Sequence, residues 1–206
     1  TMDLHYWISA VELLNAEQRA YAFSQSATEQ GCQLVADRLW RREADKPKDQ
    51  QQWKPILEAL QNLADRAFHL KLELLWGCTI RAQIIVLSEY YKNLDGAISV
   101  AEAALAQNTA DVRIHFLIKE SLGRQYLYAQ QNEKALLWLR QAIEIDTPAY
   151  PSEHLFAFIA TSRAISPTDH EAVLHYAQLA ANLAETSSGI TTLEQAVAYG
   201  ELGIDK

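Results

Sequence analysis

Small residues at fixed intervals constrain this sequence more than any of its other features. Within the segment 116–149, Gly123 is followed by Ala135, Leu139 and Ala142 at intervals of twelve, four and three positions. Two antiparallel helices joined by a short turn approach closely only where the facing side chains are small. The intervals therefore predict a helical hairpin whose two helices touch at Gly123, Ala135 and Ala142.

The same pattern returns in two weaker copies, one before and one after this segment. The matching positions are Ala97, Ala101 and Ala104 in the first copy, 38 residues upstream, and Ala172 and Tyr176 in the third copy, 37 residues downstream. A single hairpin cannot bury its apolar face alone, so about three stacked copies are needed for a stable fold. The sequence therefore predicts a stack of three hairpins.

The middle copy resembles the tetratricopeptide (TPR) repeat, in which a large residue precedes a small one, an aromatic residue follows three positions later, and small residues recur in the second helix. The resemblance implies an all-α fold, a right-handed TPR-like α-solenoid in which antiparallel helix pairs form a superhelix. The residues expected to pack the repeats are Leu122, Gly123, Tyr126, Ala135, Leu139 and Ala142 in the middle copy, Ala97 and Ala104 in the first copy, and Ala172 in the third.

Composition and capping signals also favour helices. The chain has only 7 Gly and 5 Pro among 206 residues, and no segment alternates apolar and polar residues with β-branched enrichment, so no sheet is predicted. A capping box pairs a hydroxyl residue with a Glu three positions later at the start of a helix. Such boxes, formed by Thr168 with Glu171 and by Thr191 with Glu194, predict two helix starts near the end of the chain.

The predicted organisation has three parts. N-terminal helices over residues 1–74 pack on the repeats, three TPR-like repeats occupy residues 75–185 (about 78–111, 116–149 and 153–186), and a C-terminal capping helix covers residues 190–203. Apolar residues recur with helical periodicity from residue 53 to residue 91, which is too long for one ordinary helix. A break is therefore predicted near Phe68 to Leu70.

Charge and cysteine content exclude several classes of partner. The formal net charge is −8, from 18 basic and 26 acidic side chains, whereas a nucleic-acid-binding domain needs a basic surface. No run approaches the ~18 apolar residues that a membrane span requires. Cys32 and Cys78 lie far apart, which favours reduced thiols over a disulfide framework. We therefore expect a soluble cytoplasmic protein with no direct nucleic-acid or membrane partner.

A binding groove is predicted from the repeat register. In a solenoid of helix pairs, the first helix of each pair lines the concave face, where peptides or partner helices bind. Continuing the register assigns seven residues to this groove: Glu89, Tyr90, Glu120, Arg124, Tyr128, His154 and Thr161. Tyr and Arg are enriched at interaction hot spots, although both are also common on ordinary helix surfaces.

Catalytic and metal-binding patterns are weak. His170 and His175 are five positions apart, whereas two imidazoles that share one helical face are four apart. The neighbouring Asp169 and Glu171 are typical of a first helical turn, where the helix dipole favours acids. We predict no metal, no cofactor and no enzymatic activity, and the remaining alternative is a hydrolase site assembled from distant residues.

Two functions follow from the repeat. The first is a protein–protein interaction scaffold that binds a partner peptide or helix in its concave groove. The second rests on residues 80–87 and 94–98, which are similar to the helical repeats of MalT-type signal-transducing ATPase regulators. That resemblance implies an effector-sensing regulatory domain of a larger regulator, with a small effector or an inhibitory protein as its ligand. The open ends of a solenoid also allow a homo-oligomer.

Overall fold

A computed structural model describes residues 32, 36–37, 39–107, 109–147, 150–187 and 190–201. All regular secondary structure in these residues is helical, and they contain no strand, which confirms the predicted all-α class. Residues 1–31, 33–35 and 38 of the predicted N-terminal helical region lie outside the described residues. The chain divides into two compact units, Thr1–Asn93 and Leu94–Lys206.

The described part of the first unit contains two long helices and several short turns. Residues 39–44 are helical, and a 3-10 turn follows at Lys48–Gln50. Helix α1 spans Trp53–His69, helix α2 spans Glu73–Ile85, and a π-helical turn, Val86–Tyr90, continues from α2. Helix α1 packs against α2, and both contact the π-helical turn. Ten of the 13 residues of α2 are buried, so this helix forms the centre of the unit.

The link between α1 and α2 confirms the predicted break. Helix α1 ends at His69, and Lys71 adopts a left-handed conformation with φ 55°. The N–H of Leu72 donates to the carbonyl of Ala67 at 2.8 Å, which closes the last turn of the helix. Glycine is the usual residue in this conformation. Because a lysine occupies the position here, no residue in the sequence marks the break.

The described part of the second unit consists of helices that pack in sequence. They are α3 (Leu94–Leu105), α4 (Val112–Tyr128), α5 (Asn132–Ile143), α6 (Pro151–Ala164), α7 (His170–Thr186) and α8 (Thr192–Glu201). Each helix contacts the next, and in addition α4 contacts α6 and α6 contacts α8. Helices α4, α6 and α8 therefore lie side by side in one layer, against which α3, α5 and α7 pack.

The small residues of the middle pair lie where the helices meet. Leu122, Gly123 and Tyr126 of α4 are buried, as are Ala135, Leu139 and Ala142 of α5 and Ala97, Ala101 and Ala104 of α3. A Cβ atom placed on Gly123 would lie 2.6 Å from Leu139 Cγ and 3.1 Å from the backbone nitrogen of Leu139. Because real Cβ atoms do not approach so closely, only glycine fits here.

The alanines that pack in α7 are different from those expected from the sequence spacing. Ala172 is only half-buried, whereas the buried residues of this helix are Ala177, Ala180, Ala181 and Ala184. The triplet 177, 181 and 184 repeats the intervals of Ala135, Leu139 and Ala142 with an offset of 42 residues rather than 37. The buried row of α7 therefore begins five residues after Ala172.

The capping box predicted at the start of α8 is present, whereas the residue predicted to cap α7 is wrong. At the start of α8, the N–H of Thr191 donates to Glu194 Oε2 at 2.7 Å and the N–H of Glu194 donates to Thr191 Oγ1 at 3.3 Å. At the start of α7, however, the cap is Asp169, whose carboxylate accepts from the N–H of Ala172 at 3.2 Å. Thr168 precedes the cap and instead pairs its hydroxyl with Ser166 Oγ.

Candidate interaction site

The predicted groove residues are distributed over both compact units. Glu89 and Tyr90 belong to the π-helical turn of the first unit, Glu120, Arg124 and Tyr128 lie on α4, and His154 and Thr161 lie on α6. Each unit is therefore considered by itself. The α4 and α6 residues share one layer of the second unit, since these two helices pack side by side.

An aromatic cluster holds the π-helical turn of the first unit. The ring of Tyr90 lies 4.4 Å from the ring of Trp53 and 5.5 Å from that of Trp40. Burial raises the pKa of the Tyr90 phenol, and the charge of Glu89 raises it further. Both tryptophan rings pack against Tyr90 and so stabilise the turn, as large aromatic side chains commonly do.

Glu120, Arg124 and Tyr128 follow one another at intervals of four, which places them on one side of α4. Glu120 is fully buried, and its Oε1 lies 2.7 Å from Arg124 Nε. The hydroxyl of Ser121 donates to the second carboxylate oxygen of Glu120 at 3.4 Å. The side chain of Arg124 is 16 % exposed and Tyr128 is 54 % exposed, so this row passes from the core to the surface.

The predicted residues of α6 contribute to packing. The imidazole of His154 stacks on Phe116 of α4, with ring centroids 4.2 Å apart and an interplanar angle of 16°. His154 Nε2 lies 2.7 Å from Thr147 Oγ1. Burial lowers the pKa of His154, while the charges of Asp146 and Glu153 oppose this shift. The stacked ring of His154 therefore joins α6 to α4.

Thr161 is enclosed within the same helix layer. It is fully buried, and its hydroxyl donates to the carbonyl of Ala157 at 2.7 Å. Among the five groove residues predicted on α4 and α6, Tyr128 is therefore the most accessible, Arg124 and His154 are partly accessible, and Glu120 and Thr161 are enclosed.

Charged residues of α4 and α6 are segregated by sign. The two acidic residues of these helices, Glu120 and Glu153, are buried, whereas the four basic residues, Arg113, Lys119, Arg124 and Arg163, are exposed or partly exposed. Arg113 is paired with Asp111, the N-cap of α4, at 2.6 Å. The accessible charge on the two helices is therefore basic, although the whole chain carries a net charge of −8.

A polar clamp that the sequence pattern did not predict joins α3, α4 and α5. The hydroxyl of Tyr126 donates to Glu102 Oε1 at 2.7 Å, and Lys134 Nζ lies 5.1 Å from the centre of the Tyr126 ring. Burial, together with the hydrogen bond to Glu102, raises the pKa of Tyr126 to about 12. Tyr126 was expected to pack the repeats, but Glu102 is 24 positions away in sequence and only the stacking of helices brings it close.

Gln125 is a second feature without a sequence signal. Its side chain is fully buried, and neither its amide nitrogen nor its amide oxygen makes a hydrogen bond to any described residue. A buried amide without partners costs about 1–3 kcal/mol. Within the described residues, no group of three or more His, Cys, Asp or Glu side chains is arranged to hold a metal ion.

Comparisons with protein-family models, with curated proteins and with solved structures found no match to this chain. No helix in the described part of the chain is both long enough and apolar enough to cross a membrane. The candidate site is therefore interpreted from its own geometry and charge.

Proposed function

We propose that the second unit is a right-handed TPR-like solenoid that acts as a protein–protein interaction scaffold. In this proposal, α4 and α6 present the surface that holds a segment of a partner protein. The alternating packing of helices and the close approach at Gly123 support the repeat architecture. In this proposal the protein is cytoplasmic, a setting in which the buried thiols of Cys32 and Cys78 stay reduced.

The observation that carries this proposal is the accessible surface of α4 and α6. Both acidic side chains of these helices are buried, and the exposed Tyr128 lies one helical turn beyond the partly exposed Arg124. Tyrosine and arginine supply much of the binding energy at protein interfaces, because they combine a large contact area with specific hydrogen bonds. A partner segment that crosses α4 at this end would meet both residues.

The experiment is a selection of phage-displayed random dodecapeptides on the wild-type chain, followed by affinity measurements with two variants. Tyr128→Ala removes the exposed ring of α4, and Tyr91→Ala removes a ring of similar exposure, 48 %, in the first unit. We expect Tyr128→Ala to weaken binding of the selected peptides by about tenfold, the size of a modest hot spot, and Tyr91→Ala to leave it unchanged. Equal losses in both variants, or no enrichment on the wild type, would overturn the proposal.

A further inference from the structure

We infer that the partner segment carries an acidic side chain, Asp or Glu, whose carboxylate is bound by the two terminal nitrogens of Arg124. This inference rests on the proposed function and specifies the chemistry of its partner. The ion pair between the buried Glu120 and the partly exposed Arg124 is the structural basis of this inference.

The ion pair occupies only one edge of the guanidinium group. Guanidinium presents five N–H donors in a planar fork, of which Nε carries one and the two Nη atoms carry four. Glu120 Oε1 lies 2.7 Å from Nε, and among the described residues Arg124 makes no further ion pair or hydrogen bond. The N–H groups of the two Nη atoms can therefore donate to a bound ligand.

Burial of Glu120 makes Arg124 a fixed donor rather than a mobile surface charge. The Glu120 side chain is 1 % exposed, so its carboxylate cannot rotate into solvent or accept from a partner. The hydroxyl of Ser121 also donates to the other carboxylate oxygen of Glu120, Oε2, at 3.4 Å. Little side-chain entropy remains to be lost when Arg124 binds a ligand, because the charge pair already restricts its rotamer.

The chemistry of the open edge favours a carboxylate. Two parallel N–H donors match the two oxygens of a carboxylate, which gives a bidentate, charge-assisted pair. Other accessible charges on α4 and α6 are basic as well, so an acidic segment meets no like charge on these helices, whereas a basic one is repelled. Because Glu120 already supplies one negative charge to this guanidinium group, a single carboxylate suits it better than a phosphate dianion.

Two variants of the ion pair, Glu120→Gln/Arg124→Gln and Glu120→Gln, distinguish loss of the carboxylate site from loss of folding. Arg124→Gln alone would remove the positive charge beside the buried Glu120 carboxylate, and breaking a buried ion pair on one side destabilises proteins strongly. The double variant Glu120→Gln/Arg124→Gln instead removes both charges together and keeps amides of similar size. Glu120→Gln alone leaves the positive charge of Arg124 uncompensated. Lys119→Gln, on the same helix, is the matched control for loss of one basic charge, and thermal unfolding by circular dichroism verifies that each variant folds.

The probes are dodecapeptides selected on the wild-type chain, each paired with a copy in which Asp is replaced by Asn and Glu by Gln. Display on phage blocks the peptide's carboxyl terminus, so any acidic preference arises from side chains. We expect the amide copy to bind the wild type and Lys119→Gln at least tenfold more weakly than the acidic peptide. The double variant should bind both copies equally, and Glu120→Gln should bind the acidic peptide several-fold more tightly than the wild type does.

Two results would overturn the inference in distinguishable ways. In the first, peptides bind through Tyr128, but the ratio of affinities for the acidic peptide and its amide copy is the same on the wild type and on the double variant. Arg124 would then not be the carboxylate site, and the proposed function would stand. Absence of any enriched peptide on the wild type would remove both the inference and the proposed function.

Discussion

The helix pairs α4–α5 and α6–α7 achieve close packing in different ways. In α4–α5 a single glycine does so, because Gly123 lies directly against Leu139. In α6–α7 no glycine is present, and the buried Ala180 and Ala184 of α7 cluster with Leu155 and Ile159 of α6. A contact that depends on one residue is visible in the sequence and intolerant of change, whereas a contact distributed over several alanines permits a different register.

The largest effect is expected at Gly123. Replacing it with Val places two methyl groups and a Cβ where Leu139 already lies, so the free energy of unfolding should fall by about 3 kcal/mol, at the upper end for overpacked cores. Ala180→Val, a change within the α6–α7 cluster, should cost about 1–2 kcal/mol because several side chains share the space around Ala180. Urea unfolding measures both values.

A second-site change verifies the cause of the Gly123→Val loss. Leu139→Ala alone should cost about 2–5 kcal/mol, since it leaves a cavity in a fully buried site. Combined with Gly123→Val it should cost markedly less than the sum of the two, because each change relieves the other. Additive losses would show that Gly123 and Leu139 do not act on each other.

The register of α7 is tested by one substitution in each candidate row. Ala181→Leu inserts a larger side chain into a buried position and should lower the free energy of unfolding by about 1–3 kcal/mol. Ala172→Leu changes a half-buried position and should stay within about 0.5 kcal/mol of the wild type. If Ala172→Leu lowered the free energy of unfolding more than Ala181→Leu, the 37-residue offset predicted from the sequence would be correct.

The start of α7 provides a smaller test of the same difference. Asp169→Ala removes the carboxylate that accepts from the N–H of Ala172 and should cost about 1 kcal/mol, the usual value of an N-cap. Thr168→Ala should have little effect, since its hydroxyl pairs only with the exposed Ser166. Thermal unfolding of the two variants side by side decides which residue caps the helix.

The two pairs are joined by His154, whose titration should have the smallest effect. Burial lowers the pKa of His154 below its ordinary value of 6.5. The unfolded chain therefore binds a proton at His154 more readily than the folded chain, and stability should decline as the pH falls through 6.5. His154→Phe keeps a ring stacked on Phe116 and should flatten this part of the profile. An unchanged difference in urea midpoint between neutral and mildly acidic pH would contradict this account.

The sequence predicts the α4–α5 pair well because its packing depends on residue size at close intervals. It locates Gly123, Tyr126 and Leu139 at the contact and identifies the helices that carry them. It does not predict the register of α7, because Thr168 and Asp169 are both good caps and several alanine rows fit one helix equally well.

The candidate site is predicted less completely than the fold. Intervals of four place Glu120, Arg124 and Tyr128 on one side of α4, but intervals alone do not show which neighbouring helix covers each residue. As a result Glu120 and Thr161, both expected in the groove, are fully buried. The contact between Glu102 and Tyr126 was missed for the same reason, since it forms only when α3 packs on α4.

The most direct test of the central claim is hydrogen–deuterium exchange of the intact chain with and without a dodecapeptide selected on it. Our account predicts that the peptide slows amide exchange in Val112–Tyr128 and Pro151–Ala164, the helices α4 and α6, and leaves α5 and α7 nearly unchanged. Protection confined to α5 and α7, or to the first unit, would contradict the claim that α4 and α6 form the binding surface.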